Sequence, residues 1–84
     1  MVVNQNFPNP FQGNTDVLVY LTKPGTVSLE VRNTMGAVVS TQSFDNLSKG
    51  NHILTINGEN LSTGIYTYTL TSGGSSVSKT MMVK

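Results

Sequence analysis

Residues 26–34 read TVSLEVRNT, and this stretch carries the clearest secondary-structure pattern of the 84-residue chain. Its apolar residues Val27, Leu29 and Val31 alternate with polar neighbours. Successive side chains of a β-strand point to opposite faces, so a period of two places these three residues on one side of a strand. The stretch therefore predicts a strand with one buried and one exposed face.

The residues that precede this stretch repeat the pattern. Residues 15–23 place apolar side chains at every second position, and Pro24-Gly25 separates them from residues 26–34. Proline and glycine favour the central positions of a tight turn, so we predict that the two segments pair as an antiparallel hairpin. The same alternation predicts further strands at residues 37–44, 51–57, 64–72 and 77–83.

Turn-forming residues divide the chain at short intervals and leave no room for a long helix. Gly73-Gly74 lies between two of the expected strands and is predicted to be a hairpin turn. Six or seven short strands cannot bury one face as a single flat sheet, whereas two facing sheets can. We therefore predict an all-β fold, an immunoglobulin-like antiparallel β-sandwich, in one domain that spans residues 1–84.

The first part of this domain, residues 2–14, is called the proline segment here because it contains Pro8 and Pro10. Proline has no backbone N–H, so we expect the segment to stay out of the strand ladders. Its two aromatic residues, Phe7 and Phe11, are then expected to pack across one end of the sandwich.

The composition argues against several classes of function. Charged residues make up 11% of the chain, against about 25% in an average domain. The five cations are scattered and the formal net charge is +1, which disfavours binding to nucleic acid or to an anionic membrane surface. The polar residues are mostly serine, threonine and asparagine, a tendency of extracellular β domains.

We expect neither a membrane-spanning segment nor an export segment within this sequence. No apolar run approaches the roughly 20 residues that a transmembrane helix needs, and residues 1–3 do not form a signal peptide. If the protein is exported, we expect this sequence to be part of a longer precursor, with Met1 as an added start residue.

The residue types that catalysis requires are not grouped in this sequence. His52 is the single histidine and lies in an inward phase, so we interpret it as a packed or hydrogen-bonded structural residue. No nucleophile-elbow motif and no carboxylate series with calcium-ligand spacing is present, and the chain has no cysteine for a zinc site. We therefore expect neither an enzyme nor a metal or cofactor site.

Tyr66 is open to two interpretations. Its position at the start of a predicted strand, shortly after Gly64, is typical of a tyrosine corner, in which the phenol bonds to nearby backbone. A plain core tyrosine fits the same position equally well.

Residues 6–11 read Asn-Phe-Pro-Asn-Pro-Phe and are one of several separated motifs with a common resemblance. They are similar to the NxPNPF signature of the type A C-terminal sorting domain of the type IX secretion system of Bacteroidota. Residues 21–36 look like its central hairpin, residues 61–70 match its LxxGxYxxxL signature, and residues 79–84 are similar to its basic-apolar tail. The motif residues that we expect to serve the scaffold are Pro8, Asn9, Pro10, Phe11, Gly36, Leu61, Gly64, Tyr66 and Leu70.

The resemblance implies a non-enzymatic secretion signal that follows an N-terminal cargo domain of the same precursor. In the family, a separate signal takes the cargo into the periplasm. The sorting domain then engages the type IX translocon and outer-membrane shuttle proteins, which deliver the cargo to the cell surface or the medium. A sortase-like surface peptidase typically removes the domain, and that chemistry belongs to the partner.

We expect recognition to lie in the terminal strand. Two cations flank a short apolar run there, a shape that a groove captures by strand addition or by apolar burial. The residues assigned to translocon recognition are Lys79, Met81, Met82, Val83 and Lys84.

Two other functions are compatible with a small neutral sandwich. The first is a carbohydrate-binding or adhesive module of an extracellular enzyme, with Tyr20, Phe7 and Phe11 as its candidate aromatic platform. The second is a purely structural spacer.

Overall fold

A computed structural model describes all residues from 1 to 84 and contains seven strands and no helix. The strands pair antiparallel in a three-stranded sheet of order β1-β2-β5 and a four-stranded sheet of order β4-β3-β6-β7. The prediction of an all-β sandwich with six to seven strands is confirmed. The strands are β1 (Val2–Val3), β2 (Asn14–Leu21), β3 (Gly25–Arg32), β4 (Val38–Leu47), β5 (Gly50–Asn57), β6 (Gly64–Ser72) and β7 (Ser75–Val83).

The hairpin predicted around Pro24-Gly25 is wrong. β2 and β3 lie in different sheets, so residues 22–24 carry the chain from one layer to the other. A hairpin within one sheet and a crossing between the two sheets both direct the apolar face of each strand into the same core. The alternation of apolar residues therefore does not distinguish the two arrangements. The hairpin turn predicted at Gly73-Gly74 is confirmed, because it joins β6 to β7. Both glycines have positive φ, 54° at Gly73 and 84° at Gly74.

The core lies between the two sheets and is built from alternate residues of the long strands. In β3, Val27, Leu29 and Val31 are at most 1% exposed, as the alternation predicts. Burial of an aliphatic side chain stabilises the fold by about 1.5–3 kcal/mol, so this inward row holds β3 at the centre of the wide sheet. The other buried apolar residues are Val3, Phe11, Val17, Val19, Leu21, Leu54, Ile56, Tyr66, Tyr68, Leu70, Met81 and Val83.

β4 contributes less to the core than its neighbour β3. Its inward positions, which face the same side as the buried residues of β3, are held by Ser40, Gln42 and Phe44, and all three are half-buried. Val38 and Val39 at its start are both exposed. β4 is therefore an edge strand whose inner face is only partly covered.

The proline segment takes part in both sheets, contrary to expectation. Phe7 exchanges two backbone hydrogen bonds with Asp16 of β2, of 2.9 and 3.0 Å. Phe11 forms a parallel bridge with Val83 of β7. Pro8 and Pro10 lack N–H groups, but the two phenylalanines keep theirs, and these residues make the ladder bonds.

The two phenylalanines have opposite environments. Phe11 is fully buried, as expected, whereas Phe7 is 81% exposed and does not pack across the end of the sandwich. An antiparallel bridge places its two residues on the same face, so Phe7 shares the outer face of the three-stranded sheet with Asp16. The expectation for Phe7 is therefore wrong.

Candidate functional site

The five residues assigned to recognition all lie on β7 or directly after it, at one edge of the four-stranded sheet. β7 pairs with β6 along its whole length, from Ser75 to Val83. This pairing fixes the alternation of the strand: Met81 and Val83 are 0% and 4% exposed in the core, while Met82 is 44% exposed. The apolar run is thus divided between two faces, and a partner of the folded domain reaches Met82 but neither Met81 nor Val83.

The outer backbone edge at the end of β7 is already occupied. The N–H of Met82 donates to Oδ1 of Asn9 at 2.9 Å, and its carbonyl accepts from the N–H of Phe11 at 3.0 Å. The N–H of Lys84 donates to the Phe11 carbonyl at 2.9 Å, and Nε2 of Gln5 donates to the carbonyl of residue 80 at 2.7 Å. Strand addition at residues 80–84, which the sequence led us to expect, is therefore excluded in this fold.

The accessible part of the terminal strand is a small mixed surface. Met82 lies directly across from Ile65 of β6, and both side chains are almost half exposed on the outer face of the sheet. Lys84 is exposed beside them, and Lys79 is half-buried on the inward row of β7. Neither lysine has a carboxylate partner, since the one ion pair of the molecule joins Arg32 to Glu30.

A buried polar cluster holds the proline segment against the core, and no sequence motif predicts it. The backbone N–H of Asn6 donates to the hydroxyl of Tyr68 at 3.1 Å, and its Nδ2 donates to Oγ1 of Thr15 at 3.1 Å. Oγ1 of Thr15 in turn donates to the carbonyl of Pro8 at 2.7 Å. Burial raises the pKa of the Tyr68 hydroxyl above its ordinary value of 10.0, and the bond from the Asn6 backbone offsets part of that rise.

Four of the motif residues make contacts within the fold. The hydroxyl of Tyr66 donates to the carbonyl of Ser62 at 2.7 Å, which is the arrangement of a tyrosine corner. Leu70 is in the core and Leu61 packs against it. Gly36, with φ of 82°, completes the turn between β3 and β4 by donating to the Asn33 carbonyl.

The fold leaves two of the three residues of the candidate aromatic platform accessible. Phe11 is buried and is removed from it, while Phe7 and Tyr20 are exposed on the same outer face of the three-stranded sheet. His52 contacts the Ser48 carbonyl through Nε2 at 2.6 Å, which agrees with its interpretation as a structural residue. No group of three or more His, Cys, Asp or Glu side chains is close enough to hold a metal ion.

The chain has no helix that is long and apolar enough to cross a membrane. The family model described as the secretion system C-terminal sorting domain matches residues 5–84. No curated protein and no solved structure matches the chain significantly.

Proposed function

Since the chain belongs to the family of type IX secretion system C-terminal sorting domains, we propose that it directs an attached N-terminal cargo through the type IX outer-membrane translocon. The observation that carries this proposal is the family match over residues 5–84, which includes both the proline segment and the terminal strand. The cargo passes through the periplasm and reaches the cell surface or the medium.

The partners follow from the same proposal. Outer-membrane shuttle proteins and the translocon bind the folded domain, and a sortase-like surface peptidase then separates it from the cargo. The domain supplies no catalytic group to that cleavage. Its own task is to present a stable surface, which agrees with the structural positions of Tyr66 and Leu70.

The recognition surface is the outer side of the terminal strand. Met82 and Lys84 make direct contacts with the partner on this side, whereas Lys79 lies on the inward row of β7 and contributes its half-exposed cation from there. Met81 and Val83 act indirectly, because their burial fixes the position of β7 and hence the direction of the exposed side chains. Exposed apolar surface beside an unpaired cation fits a groove that has an apolar floor and an acidic rim.

Export of a reporter tests the function. Residues 2–84 are fused behind an export signal and a reporter and expressed in a type IX-competent host. We expect the reporter at the cell surface or in the medium, and in the periplasm of a translocon-deficient strain. Equal release from both strains would contradict the proposal.

Matched charge reversals test the recognition surface. Removal of residues 79–84 is a poor test, since it also removes two core side chains. We instead expect Lys79→Glu combined with Lys84→Glu to reduce export at least about tenfold, whereas Lys23→Glu combined with Lys49→Glu changes the net charge equally and leaves export intact. Thermal unfolding of the purified variants separates lost recognition from lost stability, and export that is unaffected in a folded Lys79/Lys84 variant would refute this surface.

The alternative function is binding of carbohydrate, and it is supported by the exposure of Phe7 and Tyr20 on one face. A glycan array distinguishes the two functions. Saturable binding that Phe7→Ala or Tyr20→Ala abolishes would favour the alternative.

A further inference from the structure

One asparagine of this chain differs from the others in the residue that follows it. The chain contains nine asparagines, and Asn57 is the one that is followed directly by glycine. The backbone nitrogen after an asparagine attacks the side-chain amide carbon in spontaneous deamidation, and a bulky following residue opposes that approach. Glycine has no side chain and the widest range of backbone angles, so it offers the least resistance. Asn57-Gly58 is therefore the pair in this sequence that is most reactive in an unfolded chain.

The reaction at this pair needs no co-reactant except water. The nitrogen of Gly58 forms a bond to Cγ of Asn57, and the bond from Cγ to Nδ2 breaks. The departing nitrogen takes up the proton of the Gly58 N–H and leaves as ammonia, and a cyclic succinimide remains. Water then opens the ring at one of its carbonyl carbons. Opening at Cγ gives an ordinary aspartate, whereas opening at the backbone carbonyl gives an isoaspartyl linkage, in which the main chain runs through Cβ and Cγ.

The fold holds both reacting groups in positions that oppose the first step. The N–H of Gly58 donates to the carbonyl of Gly13 at 2.8 Å, and a proton held in such a bond is harder to remove. Oδ1 of Asn57 accepts the N–H of Glu59 at 2.9 Å, so the side chain is held as well. Attack also requires the peptide group to turn toward that side chain, and the pairing of Asn57 with Asn14 fixes the end of β5. Deamidation is therefore expected to wait for an opening of this loop.

The isoaspartyl product does not fit the native fold. Its main chain is longer by one carbon atom, which lies between two buried residues, Ile56 and Gly58. A Cβ on Gly58 would already lie 2.6 Å from Cε2 of Phe11 and 2.9 Å from the carbonyl oxygen of Gly13. The added atom moves Gly58 either into these neighbours or away from its hydrogen bond to Gly13. Close-packed interiors do not absorb such a change without loss of stability.

The aspartate product, in contrast, is compatible with the fold. The side chain of Asn57 is exposed, so a carboxylate at this position stays in water. A carboxylate oxygen also accepts the N–H of Glu59 in place of Oδ1. The two products of one reaction are thus expected to differ sharply in stability, which separates the effect of the longer main chain from the effect of the new charge.

We propose that Asn57-Gly58 is a site of spontaneous modification that folding protects. The unfolded domain deamidates there, and the chains that acquire the isoaspartyl linkage do not return to the native fold. The contacts of Gly58 with Gly13 and Phe11 have both effects, since they slow the reaction in the folded protein and exclude its isoaspartyl product. The pair therefore limits the time for which the domain stays unfolded and still folds correctly.

Peptide mapping after incubation tests the protection. The chain is held in buffer and in guanidinium chloride at the same mildly alkaline pH, and trypsin then releases residues 50–79, which contain Asn57 with Asn51 and Asn60 as internal references. Mass spectrometry with fragmentation locates each deamidated residue and identifies isoaspartate. In denaturant we expect Asn57 to react before the other two. In buffer its reaction should be at least about tenfold slower, because opening the loop breaks a hydrogen bond and exposes a buried residue.

Refolding of matched variants tests the consequence. Asn57→Gln keeps a side-chain amide but would have to form a larger ring, which closes far more slowly. After long incubation in denaturant, the refolded fraction of the unaltered chain should fall in step with isoaspartate at position 57, whereas that of Asn57→Gln should stay constant. Freshly unfolded Asn57→Asp should refold fully, since it carries the charge in an ordinary linkage. Should Asn57→Gln not fold, Asn57→Ser, which has no amide, replaces it.

Three results would overturn the proposal. The first is an equal rate of deamidation at Asn57 in buffer and in denaturant. The second is faster deamidation at another asparagine of the unfolded chain. The third is an isoaspartyl chain, separated by chromatography, that refolds and then unfolds at the same denaturant concentration as the unaltered chain. These measurements use the purified chain alone, so their outcome is independent of the proposed role in export.

Discussion

Gly58 occupies the tightest position among the glycines of this molecule. A Cβ placed on it would lie 2.6 Å from Cε2 of Phe11 and 2.9 Å from the carbonyl oxygen of Gly13. Its N–H also donates to that carbonyl at 2.8 Å. The loop after β5 therefore approaches the proline segment so closely that the absence of a side chain is required.

Gly58→Ala is expected to destabilise the domain by about 1–3 kcal/mol, since a fully buried ring and a backbone oxygen must both shift. Gly25→Ala is the matched control, because no atom lies within 4 Å of its Cβ position and its φ is unstrained. Urea denaturation measures the free energy of unfolding of both variants. Equal stability of the two variants would contradict this prediction, because it would show that the loop after β5 moves away from Phe11 with little loss of free energy.

Tyr68 is expected to lower the stability of the fold at alkaline pH. Its pKa in the folded protein is raised above 10.0, so below that pH the hydroxyl is protonated in both states and its contribution is complete. Above pH 10 the unfolded chain loses this proton first, and stability falls as the pH rises. We expect the free energy of unfolding to decrease between pH 9 and pH 11, and to decrease less in Tyr68→Phe.

The same variant has a cost at neutral pH, because the buried N–H of Asn6 loses its acceptor. That loss is worth about 1–3 kcal/mol. Denaturation curves for both proteins at each pH check the two effects together. An identical pH dependence would exclude Tyr68 as the responsible group.

At the scale of elements, the proline segment forms hydrogen bonds along the outer edge of the last strand, β7. It supplies a side-chain acceptor, a backbone donor and a backbone acceptor to Met82 and Lys84. These bonds occupy an edge that would otherwise be free to pair. The segment therefore stabilises β7 and blocks unwanted strand addition there.

Asn9→Ala is expected to weaken the contact between the proline segment and β7 without unfolding the domain. The N–H of Met82 loses its acceptor, and its protection against hydrogen exchange should fall about fivefold to tenfold, which corresponds to one hydrogen bond. Asn60→Ala serves as the control, because Asn60 is exposed and its side chain makes no hydrogen bond. Protection that is unchanged at Met82 would show that water replaces Asn9 at no cost.

Strand positions and inward faces were predictable from alternation, and strand partners were not. The inward row of β3 is as expected, whereas β2 and β3 do not pair. Pro24-Gly25 suits a crossing between layers as well as a tight turn, and only tertiary packing decides between them. The terminal strand shows a similar limit: its alternation is visible in the sequence, but nothing in the sequence indicates that Phe11 and Asn9 close its edge.

At the scale of the whole molecule, the two ends of the chain lie far apart. Met1 contributes to a cleft beside Pro24 and Gly73, at the end where β7 begins. Lys84 follows the opposite end of β7, and nine strand residues span about 30 Å. A cargo attached at the N-terminus therefore lies at the far end of the domain from Met82 and Lys84.

This geometry predicts that additions to the two ends have different effects. A compact protein fused before Met1 should be exported, whereas the same protein fused after Lys84 should reduce export at least about tenfold, because it would cover the proposed recognition surface. Immunoblots of the periplasm and the medium measure the distribution. Equal export of the two fusions would place recognition elsewhere on the domain.

The bridge between Phe11 and Val83 joins residues from the two extremes of the chain. During synthesis it forms only after the ribosome has released the last strand, and the same holds for the burial of Met81. A polypeptide shortened by a premature stop codon or by proteolysis lacks the residues that close the sandwich. Correct folding thus requires translation through β7, and the proposed function predicts that precursors which lack this strand are not exported.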